Sequence, residues 1–516
     1  MTNPKPLTRS IVREMTARND MCLIQALGRK TGGAPLLSAV EQTRIQVSKS
    51  TDAKKKSQLG QFLTPARTSE FMAGLFPPSS GGNCSLLDAG AGIGSLSSAF
   101  LERCISGSLN FDEIRLTAFE IDDSIHAALD STLSRHTNKA RLSYEIISGD
   151  FIEAAVNAFQ FGLGGFTHAI LNPPYKKINS NSNCRLLLRQ VGIETVNLYS
   201  AFVALALLRM APGGQIVAII PRSFCNGPYY RPFRDFILER AAIRHMHLFE
   251  SRSKAFKDDD VLQENIIIRL ERGGQQGPVT VSTSTDDSFT DFATNEHLFD
   301  RIVFPDDFER FIHVPTSAEK SIELSPVIRH ALTDLGIKVS TGPVVDFRLK
   351  EYLRDMPELG TAPLLYPGHF SRNATTWPKA GMKKPNAIQR NGDTEKWLYP
   401  NGFYCVVRRF SSKEEKRRVV AGVVDPSAFD DAPMLGFENH LNLFHENKRG
   451  LPQALARGLA VFLNSTIADN EFRRFSGHTQ VNATDLKQMK YPSREALMEL
   501  GEWAMQCGEL TLTMND

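Results

Sequence analysis

Leu86-Leu87-Asp88-Ala89-Gly90-Ala91-Gly92-Ile93-Gly94 is an apolar run that ends in an acid and breaks into a glycine-rich turn. Helical periodicity follows over Leu96-Cys104. A strand that feeds a helix through such a turn is the opening unit of a parallel α/β sheet, where glycine lets a ligand approach the backbone closely. Read alone, the turn is either a structural tight turn or one wall of a nucleotide-type pocket.

The pattern extends in both directions. Downstream, the strand candidates are Leu116-Ile121, Leu142-Ile147, His168-Asn172, Gln215-Ile220, Ile243-Phe249 and Asn265-Leu270. Helical patterns near Ser124-Arg135, Leu198-Met210 and Pro232-Arg240 separate several of them. Such alternation predicts a mainly parallel sheet covered by helices, with an antiparallel edge among the last strands and ligands beyond the carboxyl ends. Upstream, Gln58-Leu59-Gly60-Gln61-Phe62-Leu63-Thr64-Pro65 predicts a helix start with Thr64 as N-cap and Pro65 at the first position. Pro77-Pro78 ends that helix.

Acids stand at three successive strand tips: Asp88, Glu120 and Asp150. Singly, each is a solvated acid or a turn residue as readily as a ligand contact. Together they suit a nucleoside, with Glu120 accepting from ribose hydroxyls, Asp150 accepting from an adenine amino group and Phe151 stacking on the ring. No Gly-Lys-Thr phosphate loop accompanies them, and an acid-lined pocket repels a polyphosphate. A cationic sulfonium, S-adenosyl-L-methionine, is the better electrostatic fit, its carboxylate meeting the free N–H groups of the Thr64 helix.

Ala169-Ile170-Leu171 then delivers Asn172-Pro173-Pro174-Tyr175 to the same edge. An aromatic amino nitrogen is a poor nucleophile because its lone pair is drawn into the ring. The Asn172 side-chain oxygen and the Pro173 carbonyl are two acceptors that can bind its hydrogens where charge develops. Pro173 and Pro174 hold that carbonyl, and Tyr175 offers a face for a base. Pro-Cys, the dipeptide expected of an enzyme attacking cytosine through a cysteine, is absent from the sequence.

These motifs resemble those of the N6-adenine DNA methyltransferases of type II restriction-modification systems, in the Eco57I-like subgroup with gamma-type order: cofactor motifs, catalytic motif, then target-recognition domain. Gln61 to Pro65, Asp88 to Gly94 with Gly90 and Gly92, Glu120, Asp150-Phe151 and Asn172 to Tyr175 match its cofactor and catalytic motifs in that order. Asn197-Leu198-Tyr199 and Pro212-Gly213-Gly214 match later landmarks, and Lys254-Ala255-Phe256 with Val261 to Asn265 matches the motif whose aromatic, Phe256 here, contacts the target base. Arg473 to Asn482 resembles a late segment of methylases of the BsuBI/PstI type, which implies Arg474, Gln480 and Asn482 as DNA contacts and CTGCAG as the target. Double-stranded DNA is the implied partner, with a cognate restriction endonuclease acting on the same site. The resemblance departs at Asp88-Ala89, where other members carry a different acid and a bulkier residue.

The remaining composition is compatible. At 516 residues the chain is long for one core, and 41% hydrophobic with 23% charged residues is ordinary for a globular protein. A net charge of +3 permits a nucleic-acid partner without requiring one. The seven scattered cysteines form no Cys-x-x-Cys pair, so no metal and no disulfide framework is expected. The longest apolar run, Ala201 to Leu208, is too short to cross a bilayer, which predicts a cytoplasmic protein without membrane association, read as a monomer. A composition shift near Thr280 divides the expectation into a helical arm at 1–50, a Rossmann-like methyltransferase domain at 51–280 and an α+β target-recognition domain at 281–516. In the latter, Arg348, Lys350, Lys383-Lys384, Arg408-Arg409 and Lys416-Arg417-Arg418 interleave with Trp377, Trp397 and Tyr399 as DNA-facing candidates. The rival readings are an RNA adenine or protein glutamine methyltransferase, and a non-catalytic DNA-binding subunit.

Overall fold

In a computed structural model, residues 35–50, 62–79, 81–163, 165–249, 264–305, 307–315, 327–371, 374–411, 415–429, 432–475 and 480–506 are described. The chain divides into two units, Met1–Ala318 and Glu319–Asp516.

Unit 1 is built on one nine-stranded sheet. Its strands are β1 (Asn83–Ala89), β2 (Glu113–Glu120), β3 (Leu142–Ser148), β4 (Phe166–Leu171), β5 (Met210–Pro221), β6 (Ala241–Phe249), β7 (Asn265–Arg272), β8 (Val279–Ser284) and β9 (Ala293–His297). Their order is β3-β2-β1-β4-β5-β7-β6-β8-β9. The five strands β1 to β5 run parallel, so the carboxyl ends carrying Ala89, Glu120, Ser148 and Leu171 share one edge. Two strands run antiparallel to their neighbours: β7, inserted inside the sheet between β5 and β6, and β9, which pairs with β8 as the antiparallel edge expected among the last strands.

Both faces of the central strands are buried, which explains why they read as continuous apolar runs. Along β5, Ile216, Ala218 and Ile220 enter one core while Val217 and Ile219 enter the other. The first core is covered by α5 (Phe151–Gln160), α7 (Leu198–Arg209) and α8 (Arg231–Arg240), and the second by α2 (Ala66–Gly74), α3 (Ser95–Ile105) and α4 (His126–Ser134). The sequence pattern does not announce α5, α6 (Asn183–Gln190) or the four-residue helix Thr137–Ala140. The N-terminal helix α1 (Pro35–Ser50) packs on α2 and α3 rather than standing apart as an arm.

The composition shift near Thr280 does not end the first unit. Val279–Ser284 pairs with β6 and Ala293–His297 pairs with β8, so the Thr- and Ser-rich stretch closes the large sheet. Hydroxyl residues there are buried in strand pairing: Ser282 and Ser284 hydrogen-bond His245 and His247.

Unit 2 is α+β. A four-stranded sheet has the order β10-β20-β17-β18, from β10 (Lys338–Thr341), β17 (Tyr404–Arg408), β18 (Ala421–Val424) and β20 (Leu441–His445). A five-stranded sheet has the order β11-β15-β12-β19-β16, from β11 (Leu353–Arg354), β12 (Thr361–Leu365), β15 (Ala387–Gln389), β16 (Leu398–Pro400) and β19 (Met434–Phe437). The two-residue strands β13 (Phe370–Ser371) and β14 (Ala374–Thr375) form a separate pair. Helices α9 (Gln453–Leu463), α10 (Thr466–Phe475), α11 (Ala483–Gln488) and α12 (Arg494–Gln506) complete it. α9 and α12 approach at Gly458 and Gly501, where an added Cβ would overlap the Leu497 and Ala454 carbonyls respectively. No helix among the described residues is long and apolar enough to cross a membrane.

Candidate active site and the family it defines

A cavity of about 240 Å³ opens at the carboxyl edge of the parallel strands. Gly90, Gly92, Glu120, Asp150, Phe151, Asn172 and Pro174 all line it, joined by Ile121, Leu198 and Phe202. Residues far apart in sequence thus converge because β1 to β4 end on one edge, each handing its next residues to a loop.

The glycine turn is shaped by backbone conformation. Gly90 (φ +81°), Gly92 (φ +58°) and Gly94 (φ +84°) are left-handed, which suits glycine. A Cβ on Gly92 would lie 2.8 Å from Leu63 Cδ2, so the loop and the segment before α2 close on each other there. Gly92 N–H donates to Glu120 Oε2 at 2.8 Å, and Asp122 N–H donates to Glu120 Oε1 at 2.8 Å. Burial raises the Glu120 carboxyl above its ordinary range, against these two donors.

Asp88 does not reach the cavity. It is fully buried under the turn, where its Oδ2 accepts from Ser97 Oγ at 2.5 Å, tying β1 to the first turn of α3. Burial pushes its carboxyl up to about 7. Asp150 is exposed at the rim and N-caps α5, accepting from Ile152 N–H at 2.8 Å. Phe151 is the first residue of α5, its ring buried between Phe119 and Phe202 at centroid distances of 5.1 and 5.0 Å.

Asn172 is held from across the chain. Its Nδ2 donates to the Phe62 carbonyl at 2.8 Å and to Thr64 Oγ1 at 2.9 Å. A carbonyl only accepts, so this contact fixes which end of the amide is nitrogen. The other end, Oδ1, is buried and has no hydrogen-bond partner among the described residues. Tyr175 does not line the cavity: its ring packs on Phe62 at 5.6 Å and its hydroxyl donates to the Ile219 carbonyl at 3.2 Å.

The Thr64 helix start differs from expectation. α2 begins at Ala66, with Pro65 as the capping position and no side-chain cap from Thr64. Instead Ala66 N–H donates to Glu41 Oε2 of α1 at 2.9 Å, and Thr64 serves Asn172. Local sequence could not reveal a cap delivered from another helix. Phe62, Ile121 and Phe202 were likewise missed, although an apolar residue after a strand-tip acid, such as Ile121 at 57% exposure, is a usable sign of a ligand face.

Phe256 lies outside the described residues, as does the side chain of Arg474. Gln480 Oε1 accepts from Arg409 at 3.3 Å. Asn482 is turn chemistry rather than a free edge reader: its backbone N–H and Nδ2 donate to Asp485 at 2.9 and 3.2 Å at the start of α11. Several other basic and aromatic candidates are also committed to the fold. Arg418 is buried, Lys384 pairs with Asp346 at 2.6 Å, Tyr399 is a core residue, and Trp377 Nε1 donates to the Asn386 carbonyl at 2.6 Å.

A mainly parallel sheet with an inserted antiparallel β7, and a glycine turn and an asparagine loop at its carboxyl edge, is the Rossmann-like α/β architecture of a methyltransferase domain. The model of the Eco57I restriction-modification methylase family matches residues 43–256. The type II methyltransferase M.BsuBI of Bacillus subtilis is 54% identical over 91% of this chain and 94% of its own. M.PstI of Providencia stuartii is 42% identical over 92% and 95%. Among solved structures, the DrdV–DNA complex matches with a TM-score of 0.50 at 12% identity, covering 91% of this chain and 59% of that one. The chain belongs to the type II methyltransferases of restriction-modification systems, and it is a site-specific DNA methyltransferase.

Proposed function

We propose that the enzyme transfers a methyl group from S-adenosyl-L-methionine to N6 of an adenine flipped out of double-stranded DNA. The observation that carries this reading is the orphaned Asn172 Oδ1. A buried amide oxygen without a partner is costly, and it is satisfied when a ligand donates to it. An adenine amino group is such a donor. With Nδ2 fixed on Phe62 and Thr64, Oδ1 is presented without reorganisation, and the Pro173 carbonyl is the second acceptor for the amino hydrogens.

The cofactor site fits the chain's own residues. Gly90 and Gly92 line the cavity, Gly90 with no atom nearer than 3.8 Å to where a side chain would stand, and Glu120 retains lone pairs for the ribose hydroxyls beside its two backbone donors. Asp150 has a second oxygen for the adenine amino group, while Ile121 and Phe202 offer apolar faces and Phe151 supports Phe202 from beneath. Asp88 acts by anchoring the turn to α3. Bound there, S-adenosyl-L-methionine supplies an electrophilic methyl group on a sulfonium, whose positive charge suits the acids of the cavity. Thr64 positions Asn172. Tyr175 braces the loop against β5, which leaves stacking on the target base to other aromatics, with Phe256 the first candidate.

Flipping costs a few kcal/mol, which contacts to the surrounding duplex must offset. Unit 2 is the source of those contacts, and Arg474 and Gln480 stay candidates among them. The expected target is CTGCAG, cut when unmethylated by a cognate endonuclease that need not bind the methylase, which acts as a monomer in the cytoplasm.

Purified protein with labelled S-adenosyl-L-methionine should methylate duplex DNA, and the product should resist a restriction enzyme that cuts CTGCAG. Labelling of tRNA or of protein but not of DNA would sink the proposal. Asn172→Ala should abolish transfer while sparing cofactor binding. Retained turnover would remove Asn172 from its role.

A further inference from the structure

Within unit 2, one polar cluster is built with more care than a surface turn needs. Glu438 is fully buried, and among the described residues its carboxylate has one hydrogen-bonding residue, His440. It accepts from the His440 backbone N–H at 2.9 Å and from Nδ1 at 2.5 Å. A carboxylate acceptor places the proton on Nδ1, so the partly exposed imidazole presents Nε2 outward. Burying a carboxylate is expensive, and here it serves to aim one imidazole.

Beside it stands Arg409. Its guanidinium donates to the Asn439 carbonyl at 3.2 Å and to Gln480 Oε1 at 3.3 Å, both neutral acceptors. Neighbouring Arg408 is neutralised by Glu415, whereas among the described residues Arg409 has no carboxylate partner and its Nε no hydrogen-bond partner. Phe410, 43% exposed, packs its ring on His440 at 4.9 Å. Backbone bonds stitch the three segments together: Arg409 N–H to the His440 carbonyl at 2.8 Å, Val481 N–H to the Arg409 carbonyl at 2.7 Å, and a bridge between Phe410 and Gln480. Asn442 Nδ2 adds a bond to the Val481 carbonyl at 2.7 Å.

We infer that Arg409, His440 and Gln480 form a base-reading platform for the major groove of duplex DNA, with Arg409 directed at a guanine. The inference rests on the proposed DNA reading of unit 2. A guanidinium without a counter-charge, fixed in orientation by neutral acceptors, suits the paired O6 and N7 acceptors of guanine. The Gln480 amide retains donors for an adjacent base, and His440 is the kind of oriented side chain that precise readout requires.

The test uses the full-length enzyme and a panel of duplexes, each carrying the cognate site or one base-pair substitution in it. Arg409→Lys keeps the charge but loses the planar fork, and it should lower kcat/KM on the cognate site by about 5- to 100-fold. Discrimination against substitution of one guanine should collapse, while cofactor affinity and the salt dependence of DNA binding stay as in wild type. His440→Ala, a partly exposed position, should relax a neighbouring base pair, with thermal melting confirming that each variant is folded. Cognate-to-substituted ratios unchanged in both variants would overturn the inference, as would an equal loss on every duplex after Arg409→Lys, which would mark a phosphate contact. Wild-type protein inactive on all duplexes would instead refute the DNA reading itself.

Discussion

Asn172 hangs from Thr64: the amide nitrogen of the first donates to the hydroxyl of the second at 2.9 Å, across a sequence gap that spans the glycine turn and four strands. This bond, with its companion to the Phe62 carbonyl at 2.8 Å, turns an ordinary asparagine into an oriented acceptor. The motif upstream of α2 therefore holds the Asn172 loop directly.

Thr64→Val keeps the shape and removes the acceptor. Because Phe62 still holds the amide, kcat should fall by about 3- to 10-fold, in line with one hydrogen bond, while cofactor affinity stays near wild type. Thr64→Ser should restore turnover. Single-turnover methylation beside calorimetric cofactor binding separates the two effects, and a loss confined to binding would place Thr64 on the cofactor instead.

Gly92→Ala tests the turn. The left-handed conformation disfavours a side chain by about 1 to 2 kcal/mol, and the new Cβ would sit 2.8 Å from Leu63 Cδ2. Cofactor affinity, measured by calorimetry, should weaken by about 10-fold or more, with a lowered melting temperature. An unchanged dissociation constant would show that the cofactor does not approach this turn.

Asp88→Asn tests the buried acid through pH. Its folded carboxyl is pushed up to about 7 from an ordinary 3.8, so between those values the folded chain holds a proton that the unfolded chain has lost. Stability from this group is therefore greatest at low pH and declines as pH rises from about 4 to about 7. Glu120, also raised by burial, contributes in the same direction. Thermal midpoints at pH 5 and pH 8 should differ less in Asp88→Asn than in wild type. An equal gap in both would mean that Asp88 titrates normally.

The sequence by itself determined the parallel sheet, the strand tips at Glu120 and Asp150, and the Asn172 loop, because alternating strands and helices and the residues directly after a strand are local features. It also placed Leu198–Arg209 and Arg231–Arg240 as helices nearly to the residue. It did not show that Phe151 opens the helix α5, whose apolar face is buried only once the sheet it covers has formed. Tertiary structure alone decided which partner each polar group takes. Glu41 rather than Thr64 caps α2, Ser97 claims Asp88, Tyr175 turns onto Ile219, and the Thr- and Ser-rich stretch near Thr280 pairs as the last two strands of the large sheet. A hydrogen bond depends on distance and direction between groups remote in the chain, and periodicity and composition carry neither. That is why the sequence could place Asn172-Pro173-Pro174-Tyr175 directly after a strand, while the orientation of Asn172 Oδ1 could not be read from it.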